Sequence, residues 1–209
     1  MPQLREEEEM KTELCRILYK IGAFEFGAFK LASGRTSPYY IDLRIVPSFP
    51  DAFSKICNLY VKLIKMNPGA ESFDRMAGIP LAGLPFGSLV AHQLRKPFLY
   101  ARPRIKLHGR QRRIEGIIMP GDRVLIIDDL ITTGSSLRKA VAAVRAEGGV
   151  VNAAVVLLDR EEGGKEKLAK DKVTLRCLMK ASEAADKFYE IGAITEGQFQ
   201  IILKQAKAP

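Results

Sequence analysis

From residue 74 onward, short apolar stretches alternate with stretches in which apolar residues recur at helical spacing. Four stretches are apolar nearly throughout: RMAGI (75–79), FLYA (98–101), RVLIID (123–128) and VNAAVVLLD (151–159). Strands of this kind are buried on both faces, and the helices between them allow the strands to run parallel. We therefore predict an α/β fold, with a doubly wound, mainly parallel sheet and helices on both faces.

The two ends of the chain carry a different pattern. Residues 5–22 form an amphipathic pattern whose Glu-rich start suits the positive end of a helix dipole. Residues 50–66 place their apolar side chains on a single helical stripe. We predict a small N-terminal subdomain, a hood with helix and base-binding segment, over residues 1–48. Residues 49–209 are predicted to form the α/β core, including a C-terminal strand and helices.

Composition fits a folded globular chain. The 209 residues are 47% hydrophobic and 27% charged, which is ordinary for this class. Three scattered cysteines, none in a CxxC pair, indicate a reducing compartment instead of a disulfide framework or zinc site. No apolar run approaches the ~18 residues that a membrane span needs, and the acidic start is unlike a signal peptide. We expect a cytoplasmic protein that contacts no membrane.

The positive charge is concentrated in one place. The formal net charge is +9, and six of the 33 Lys and Arg residues lie within YARPRIKLHGRQRRIEG, residues 100–116, beside one of the two histidines. A concentrated patch suits an anionic small molecule as readily as a nucleic acid. The residues themselves leave three interpretations open, namely a nucleic-acid patch, a solvated loop and a part of an active site.

The candidate chemistry lies in VLIIDDLITTGSS, residues 124–136. A buried strand ends in two adjacent carboxylates, Asp128 and Asp129, and a loop of small hydroxyl residues and glycine then leads into a helix. Ligands of parallel sheets bind at this strand edge, and the backbone N–H groups of such a loop favour a phosphate. The two acids suit vicinal hydroxyls, directly or through a divalent cation. The pattern indicates a sugar phosphate; the plain alternative is a capped strand-to-helix turn.

This segment resembles the phosphoribosyl-pyrophosphate (PRPP) signature of type I phosphoribosyltransferases. The resemblance implies that the two acids hold the ribose hydroxyls and that the loop holds the 5-phosphate. The implied PRPP-binding residues here are Asp128, Asp129, Leu130, Ile131, Thr132, Thr133, Gly134, Ser135 and Ser136. It also implies Mg²⁺ as the cofactor, which PRPP carries and which no protein side chain needs to ligate. If the protein does contact the ion, the candidate residues are Asp128 and Asp129.

Three further segments resemble orotate phosphoribosyltransferases. They are the N-terminal signature FKLASGRTSPYYIDLR (29–44), the pyrophosphate loop GIPLAGLPFG (78–87) and the strand end LLDREEGG (157–164). The resemblance implies diphosphate contacts at Leu81 and Ala82, and orotate contacts at Thr132, Arg160, Lys30, Tyr40 and Ile41. The implied reaction transfers the phosphoribosyl group of PRPP to orotate, giving orotidine 5′-monophosphate and diphosphate in de novo pyrimidine (UMP) biosynthesis.

The basic stretch resembles the mobile catalytic loop of this family. The resemblance assigns Arg102, Lys106 and His108 to the departing diphosphate, as PRPP-binding and catalytic residues together with Asp128 and Asp129. The family's loop reaches a neighbouring active site, so we expect a homodimer in which residues 102–113 cover the neighbouring site, and no bound nucleic acid. Three arginines match no catalytic position and are interpreted as solvated charges: Arg110, Arg112 and Arg113.

The sequence departs from bacterial members at three positions where lysine is common. Ala32, Ala82 and Pro103 stand there instead. Lys30 lies two residues before Ala32, on the same face of a strand, and is a candidate substitute. The basic loop and the segments IDLR and DREEGG look more like the transferase half of bifunctional UMP synthases.

Two other functions stay open. One is phosphoribosyl transfer to a purine or to uracil, against which Arg160 and the segment 29–44 argue. The other is a PRPP-sensing regulator on the same fold that binds DNA through its basic surface. No helix-turn-helix or zinc-finger pattern is visible in the sequence to support the second.

Overall fold

The computed structural model of the protein describes residues 2–30, 36–102 and 113–206. The helices in these ranges are α1 (Pro2–Lys20), α2 (Pro50–Met66), α3 (Gly83–Gln93), α4 (Ser135–Ala146), α5 (Gly164–Lys170), α6 (Ala181–Glu190) and α7 (Glu196–Ala206). The strands are β1 (Phe24–Lys30), β2 (Thr36–Ile41), β3 (Arg75–Gly78), β4 (Phe98–Ala101), β5 (Ile114–Glu115), β6 (Val124–Ile127), β7 (Leu130–Ile131), β8 (Ala153–Asp159) and β9 (Thr174–Lys180). Short 3-10 helices cover Leu43–Ser48 and Ala70–Ser72.

The chain divides into two compact units, and the division differs from the predicted boundary. One unit combines Met1–Ile56 with Met179–Pro209, and the other is Cys57–Leu178. The sequence pattern had placed the C-terminal helices in the α/β core. They group with the N-terminal segment because α6 packs on α1, and because the Phe188 ring stacks on Phe24 with centroids 3.8 Å apart.

The Cys57–Leu178 unit is built on a mostly parallel sheet. Its strands follow the order β5–β4–β3–β6–β8, with β7 and β9 also paired to β8. The pairs β3–β4, β3–β6, β6–β8 and β7–β8 are parallel, and the short β5 runs antiparallel to β4. The predicted α/β class with a mainly parallel central sheet is confirmed.

Helices cover both faces of this sheet, because alternate residues of each strand point to opposite sides. On one face, Ala77 and Ile126 belong to the same buried cluster as Val141 and Val144 of α4. On the other face, α3 approaches so closely that a Cβ on Gly87 would lie 2.8 Å from Ile127 Cγ2.

The smaller unit contains α1, α6, α7 and an antiparallel β1–β2 hairpin. A buried ammonium fixes α1 to α6, since Lys11 Nζ donates to both Glu8 Oε1 and Glu183 Oε1 at 2.9 Å. Lys187 of α6 forms a second ion pair with α1, with its Nζ 3.0 Å from Glu8 Oε2. The unit is therefore held by ion pairs as well as by its apolar core.

The predicted helices and strands agree with the observed ones where the apolar pattern is long. Helix α2 has the predicted bounds of 50–66, whereas the short elements β5, β7 and α5 were not predicted. In α5 only Gly164 and Leu168 are buried, which leaves too few apolar side chains for a helical period to be recognised.

Two smaller predictions concern the cysteines and the membrane. Burial raises the pKa of the Cys15 and Cys57 thiols to about 12, in keeping with a packing role. Among the residues that the structure describes, every helix is too short or too polar to cross a bilayer.

Candidate active site

A cavity of about 250 Å³ opens at the carboxyl ends of β3 and β6. One wall is the segment 79–82 between β3 and α3, and the other is the continuous stretch 128–137. The acids, the hydroxyl loop and the glycine-rich turn that the sequence predicted to act together therefore line a single cavity, at the sheet edge where ligands of parallel sheets bind.

The two acids share this cavity because the strand alternation breaks between them. Asp128 N–H donates to the Val155 carbonyl of β8 at 3.1 Å, and the Asp129 carbonyl accepts from Leu157 N–H of β8 at 3.0 Å. Consecutive residues of a regular strand direct their backbone groups to opposite neighbours, so these two cannot belong to one regular strand. The break is the reason that β6 ends at Ile127 and β7 begins at Leu130.

The acid pair is nearly enclosed, with Asp128 7% and Asp129 9% exposed. Burial, and next the charge of Asp129, raise the pKa of the Asp128 carboxyl well above its usual range. Asp128 Oδ1 accepts one hydrogen bond, from Asp129 N–H at 3.0 Å. A pair of acids in this position favours a ligand that brings hydroxyl donors or positive charge.

The hydroxyl loop depends on two glycines that touch each other. Gly134 has φ +76°, a left-handed conformation that suits glycine, and the loop enters α4 directly after it. A Cβ on Gly134 would lie 3.1 Å from the Gly164 carbonyl oxygen, and one on Gly164 would overlap the Thr132 carbonyl oxygen. The loop therefore packs directly against the backbone of Gly164, with no side chain between them. Its N–H groups lie at the N-terminus of α4, where an anion is stabilised.

The opposite wall approaches the acids just as closely. A Cβ on Gly83 would lie 2.8 Å from Asp128 Oδ1, so glycine is what allows α3 to begin there. Ile79 N–H donates to the Ile127 carbonyl at 3.2 Å and continues the β3–β6 pairing to the cavity rim. Leu81 is 83% exposed at the mouth of the cavity.

The acid pair alone offers too few ligands for a metal site of the usual kind. Across the described residues, no three His, Cys, Asp or Glu side chains gather closely enough to hold a metal. The two buried acids fit a divalent cation that arrives with oxygen ligands of its own, as Mg²⁺ does when phosphate groups carry it.

Comparison with known proteins identifies the family. The family described as "Phosphoribosyl transferase domain" matches residues 51–190. An orotate phosphoribosyltransferase of Staphylothermus marinus is 45% identical to this chain over 174 residues, which cover 82% of either sequence. The chain belongs to the orotate phosphoribosyltransferase family.

Solved structures of this family share the fold. The orotate phosphoribosyltransferase of Aeropyrum pernix has a TM-score of 0.71 and 32% identity, covering 86% of this chain and 99% of that one. The UMP synthase of Leishmania donovani has a TM-score of 0.81 and 33% identity, covering 92% of this chain. This chain spans only 41% of that synthase.

The predicted PRPP-binding residues of the orotate phosphoribosyltransferase signature fall into three groups. Those in 128–136 line the cavity together with Leu81 and Ala82. Arg102 lies apart from this lining, where its Nε pairs with the Glu115 carboxylate and its N–H donates to the Arg113 carbonyl at 2.7 Å. The third group, Lys106 and His108, lies outside the described residues.

The predicted orotate contacts are divided between the two units. In the Cys57–Leu178 unit, Thr132 lines the cavity. Arg160 follows β8 with its side chain 7% exposed and its Nε 3.8 Å from Glu162 Oε1. Its N–H donates to the Ile131 carbonyl at 2.9 Å, which ties it to the loop that carries the acids.

The other orotate contacts belong to the smaller unit. Lys30 is exposed at the end of β1, and Ala32 lies outside the described residues. The Tyr40 hydroxyl accepts from Arg44 Nη2 at 2.7 Å. Ile41 is 2% exposed, so its side chain is part of the core of that unit.

Sequence reasoning missed three residues that shape the site. Gly164 stood in the quoted segment LLDREEGG but received no role, although a glycine pair after a strand signals close backbone approach. Glu115 carries no role in the sequence prediction, although its carboxylate pairs with Arg102 Nε. Tyr60 was one apolar residue of the α2 stripe, and nothing in a single sequence distinguishes its hydroxyl from that of an ordinary core tyrosine.

Proposed function

We propose that the chain is an orotate phosphoribosyltransferase, which transfers the phosphoribosyl group of PRPP to orotate and releases diphosphate. One observation carries the proposal: a buried acid pair and a hydroxyl–glycine loop line the same cavity of about 250 Å³. The first group suits a ribose diol, the second suits a phosphate, and PRPP presents both.

The reaction exchanges the substituents at the anomeric carbon of the ribose. The bond from that carbon to the diphosphate oxygen breaks, and the oxygen leaves with the electron pair. A ring nitrogen of orotate then supplies the pair for the new bond and gives up its proton to the departing diphosphate or to solvent. The ribose acquires positive charge in between, and Asp128 and Asp129 are suitably placed to hold its hydroxyls through this change.

The leaving diphosphate requires cations and N–H donors. We propose that the backbone at Leu81 and Ala82 meets it in the cavity, and that Arg102, Lys106 and His108 supply charge and a proton or hydrogen bond. Mg²⁺ bound with PRPP would neutralise part of the diphosphate charge. The resemblance of residues 102–113 to the family's catalytic loop supports this assignment.

We propose that Arg160 recognises orotate, with help from Thr132, Lys30, Tyr40 and Ile41. Orotate carries a carboxylate that uracil and the purines lack, and a guanidinium suits a carboxylate because it can form two parallel hydrogen bonds. The connection of Arg160 N–H to the Ile131 carbonyl at 2.9 Å links this base-recognising residue to the PRPP loop.

Three further proposals concern the working enzyme, of which the homodimer rests on the same resemblance and the cytoplasmic location on the scattered cysteines. It acts as a homodimer in which residues 102–113 cover the neighbouring active site, it functions in the cytoplasm, and it binds small molecules in preference to nucleic acid. The concentrated positive charge of residues 100–116 then serves a departing diphosphate.

A panel of bases tests the proposal. The protein is mixed with PRPP, Mg²⁺ and orotate, uracil, hypoxanthine or adenine in turn, and loss of each base is followed. Turnover with orotate alone is expected. Turnover with another base but not orotate would assign a different transferase, and no turnover together with salt-sensitive DNA binding would favour a regulator.

The basic loop has a separate test. Lys106→Ala is expected to lower turnover by orders of magnitude, since removing one donor to a developing charge costs roughly 10²–10³ in rate. Arg110→Ala is the matched control within the same stretch and is expected to retain activity. Near-parent rates for Lys106→Ala would contradict the loop assignment.

A further inference from the structure

The Asp128 carbonyl lies outside the regular ladder of the sheet. Asp128 N–H donates to the Val155 carbonyl, and a regular parallel ladder would return a hydrogen bond from Leu157 N–H to the Asp128 carbonyl. Leu157 N–H donates instead to the Asp129 carbonyl at 3.0 Å. The break that brings both acids into the cavity therefore removes one buried carbonyl from its usual partner.

A side chain from α2 supplies the missing donor. The Tyr60 hydroxyl donates to the Asp128 carbonyl at 2.7 Å, and Tyr60 is 0% exposed. A buried carbonyl without a partner would cost free energy, so this hydroxyl stabilises the irregular backbone directly behind the acid pair.

The hydroxyl keeps its proton throughout the working pH range. Burial, and then the charges of Asp129 and Asp128, raise the pKa of Tyr60 well above its usual value. The ring packs against Phe86 of α3, with the two ring centroids 5.7 Å apart. Tyr60 therefore presents a protonated hydroxyl from a packed position in the core.

We propose that Tyr60 is a positioning residue for PRPP binding: its hydroxyl holds the Asp128 carbonyl out of the sheet ladder and so keeps both carboxylates in one cavity. Tyr60 acts through the backbone of Asp128 and does not itself touch the ribose. The inference rests on the proposed function, because it concerns the same acid pair.

The test removes one oxygen atom. Tyr60→Phe keeps the ring in the core and deletes the hydroxyl. Calorimetric titration with PRPP and Mg²⁺, in the absence of any base, is expected to show PRPP binding weakened at least about fivefold, in line with the loss of a buried hydrogen bond. The KM for orotate at saturating PRPP is expected to change by less than about twofold. The lost hydrogen bond supports the acid pair that binds PRPP, and it does not support the proposed orotate contacts.

A matched variant separates positioning from general stability. Leu63 lies on the same helix and is also 0% exposed. Leu63→Ala should lower the thermal midpoint at least as much as Tyr60→Phe, because it leaves a core cavity, yet it should leave PRPP affinity near that of the parent. Parent-like PRPP affinity in Tyr60→Phe, or equal weakening in both variants, would overturn the proposal. Because the titration contains no base, its outcome is independent of whether orotate is the acceptor.

Discussion

Gly164 packs against the Thr132 carbonyl so closely that any side chain at position 164 would overlap that oxygen. The contact joins the N-terminus of α5 to the loop that lines the cavity opposite residues 79–82. The proposed phosphate-binding loop therefore packs directly against the backbone of Gly164. A methyl group at position 164 is expected to displace the loop.

Gly164→Ala is expected to raise the KM for PRPP by roughly tenfold or more, because shifts well below 1 Å disturb bound geometry. Steady-state rates at varied PRPP measure the effect. Gly163→Ala is the matched control: Gly163 has φ +81° with open space around it, so alanine there strains the backbone without touching Thr132. Equal increases in the two variants would show that the contact with Thr132 is irrelevant.

Asp128→Asn is expected to stabilise the fold at neutral pH while impairing PRPP binding. Burial and Asp129 raise the pKa of Asp128, so the folded chain holds this proton more tightly than the unfolded chain, in which Asp ionises near pH ~3.9. The ionised carboxylate therefore destabilises the fold increasingly as pH rises, and not at all below that pH. Asparagine removes the charge and keeps an oxygen for Asp129 N–H.

Thermal unfolding of Asp128→Asn and the parent at several pH values measures this effect. Each kcal/mol should appear as roughly 2–4 °C for a chain of this size, with the gain largest at pH 7–8 and fading toward pH ~4. A variant less stable than the parent at pH 7, or a gain that grows on acidification, would contradict the picture of a strained acid pair.

Arg160→Gln is expected to raise the KM for orotate by about tenfold or more, since hydrogen bonds to charged groups contribute roughly 1.5–3 kcal/mol. The KM for PRPP should stay close to the parent value. Lys165→Gln, which removes an exposed cation five residues further on, is the control and should leave both constants unchanged. An increase in the KM for PRPP alone would contradict a role for Arg160 in orotate recognition.

Glu8→Gln tests the ion pairs of the smaller unit. The hydrogen bonds from Lys11 and then Lys187 lower the pKa of the Glu8 carboxyl, so this stabilisation is present above the unfolded value near pH ~4.3 and is lost as pH falls through the folded value. The variant should melt slightly below the parent at pH 7, with the difference vanishing near pH ~3. Glu6→Gln, at an exposed position two residues earlier, should leave the melting temperature unchanged. If Glu8→Gln lowered the melting temperature equally at pH 7 and near pH ~3, the charge of Glu8 could not be the cause.

The core of the fold could be predicted because its pattern is local. The stripe of α2 fixed both ends of that helix, and the apolar runs at 75–79 and 123–128 identified buried parallel strands. The pairing of α6 with α1 could not be predicted, because it depends on contacts such as Phe24 with Phe188 that are distant in sequence. Apolar periodicity shows that a helix has a buried face but not which face it meets.

The site shows the same limit. The types of residue at 128–136 were sufficient to predict that the acids and the loop lie together at one strand end, because they are consecutive in the sequence. The break in alternation between Asp128 and Asp129, and the Tyr60 hydroxyl that satisfies it, required the three-dimensional structure. The sequence of a strand predicts which side each residue faces only as long as the strand is regular.

We propose that the acid pair serves phosphoribosyl transfer to orotate, and one assay measures this directly. Purified protein is incubated with PRPP, orotate and Mg²⁺, and orotate consumption and diphosphate release are measured together, in the parent and in a folded Asp128→Asn/Asp129→Asn variant. The parent is expected to consume orotate and release diphosphate in equal amounts, and the variant is expected to lose both activities. Diphosphate release without orotate consumption, or a variant as active as the parent, would contradict it.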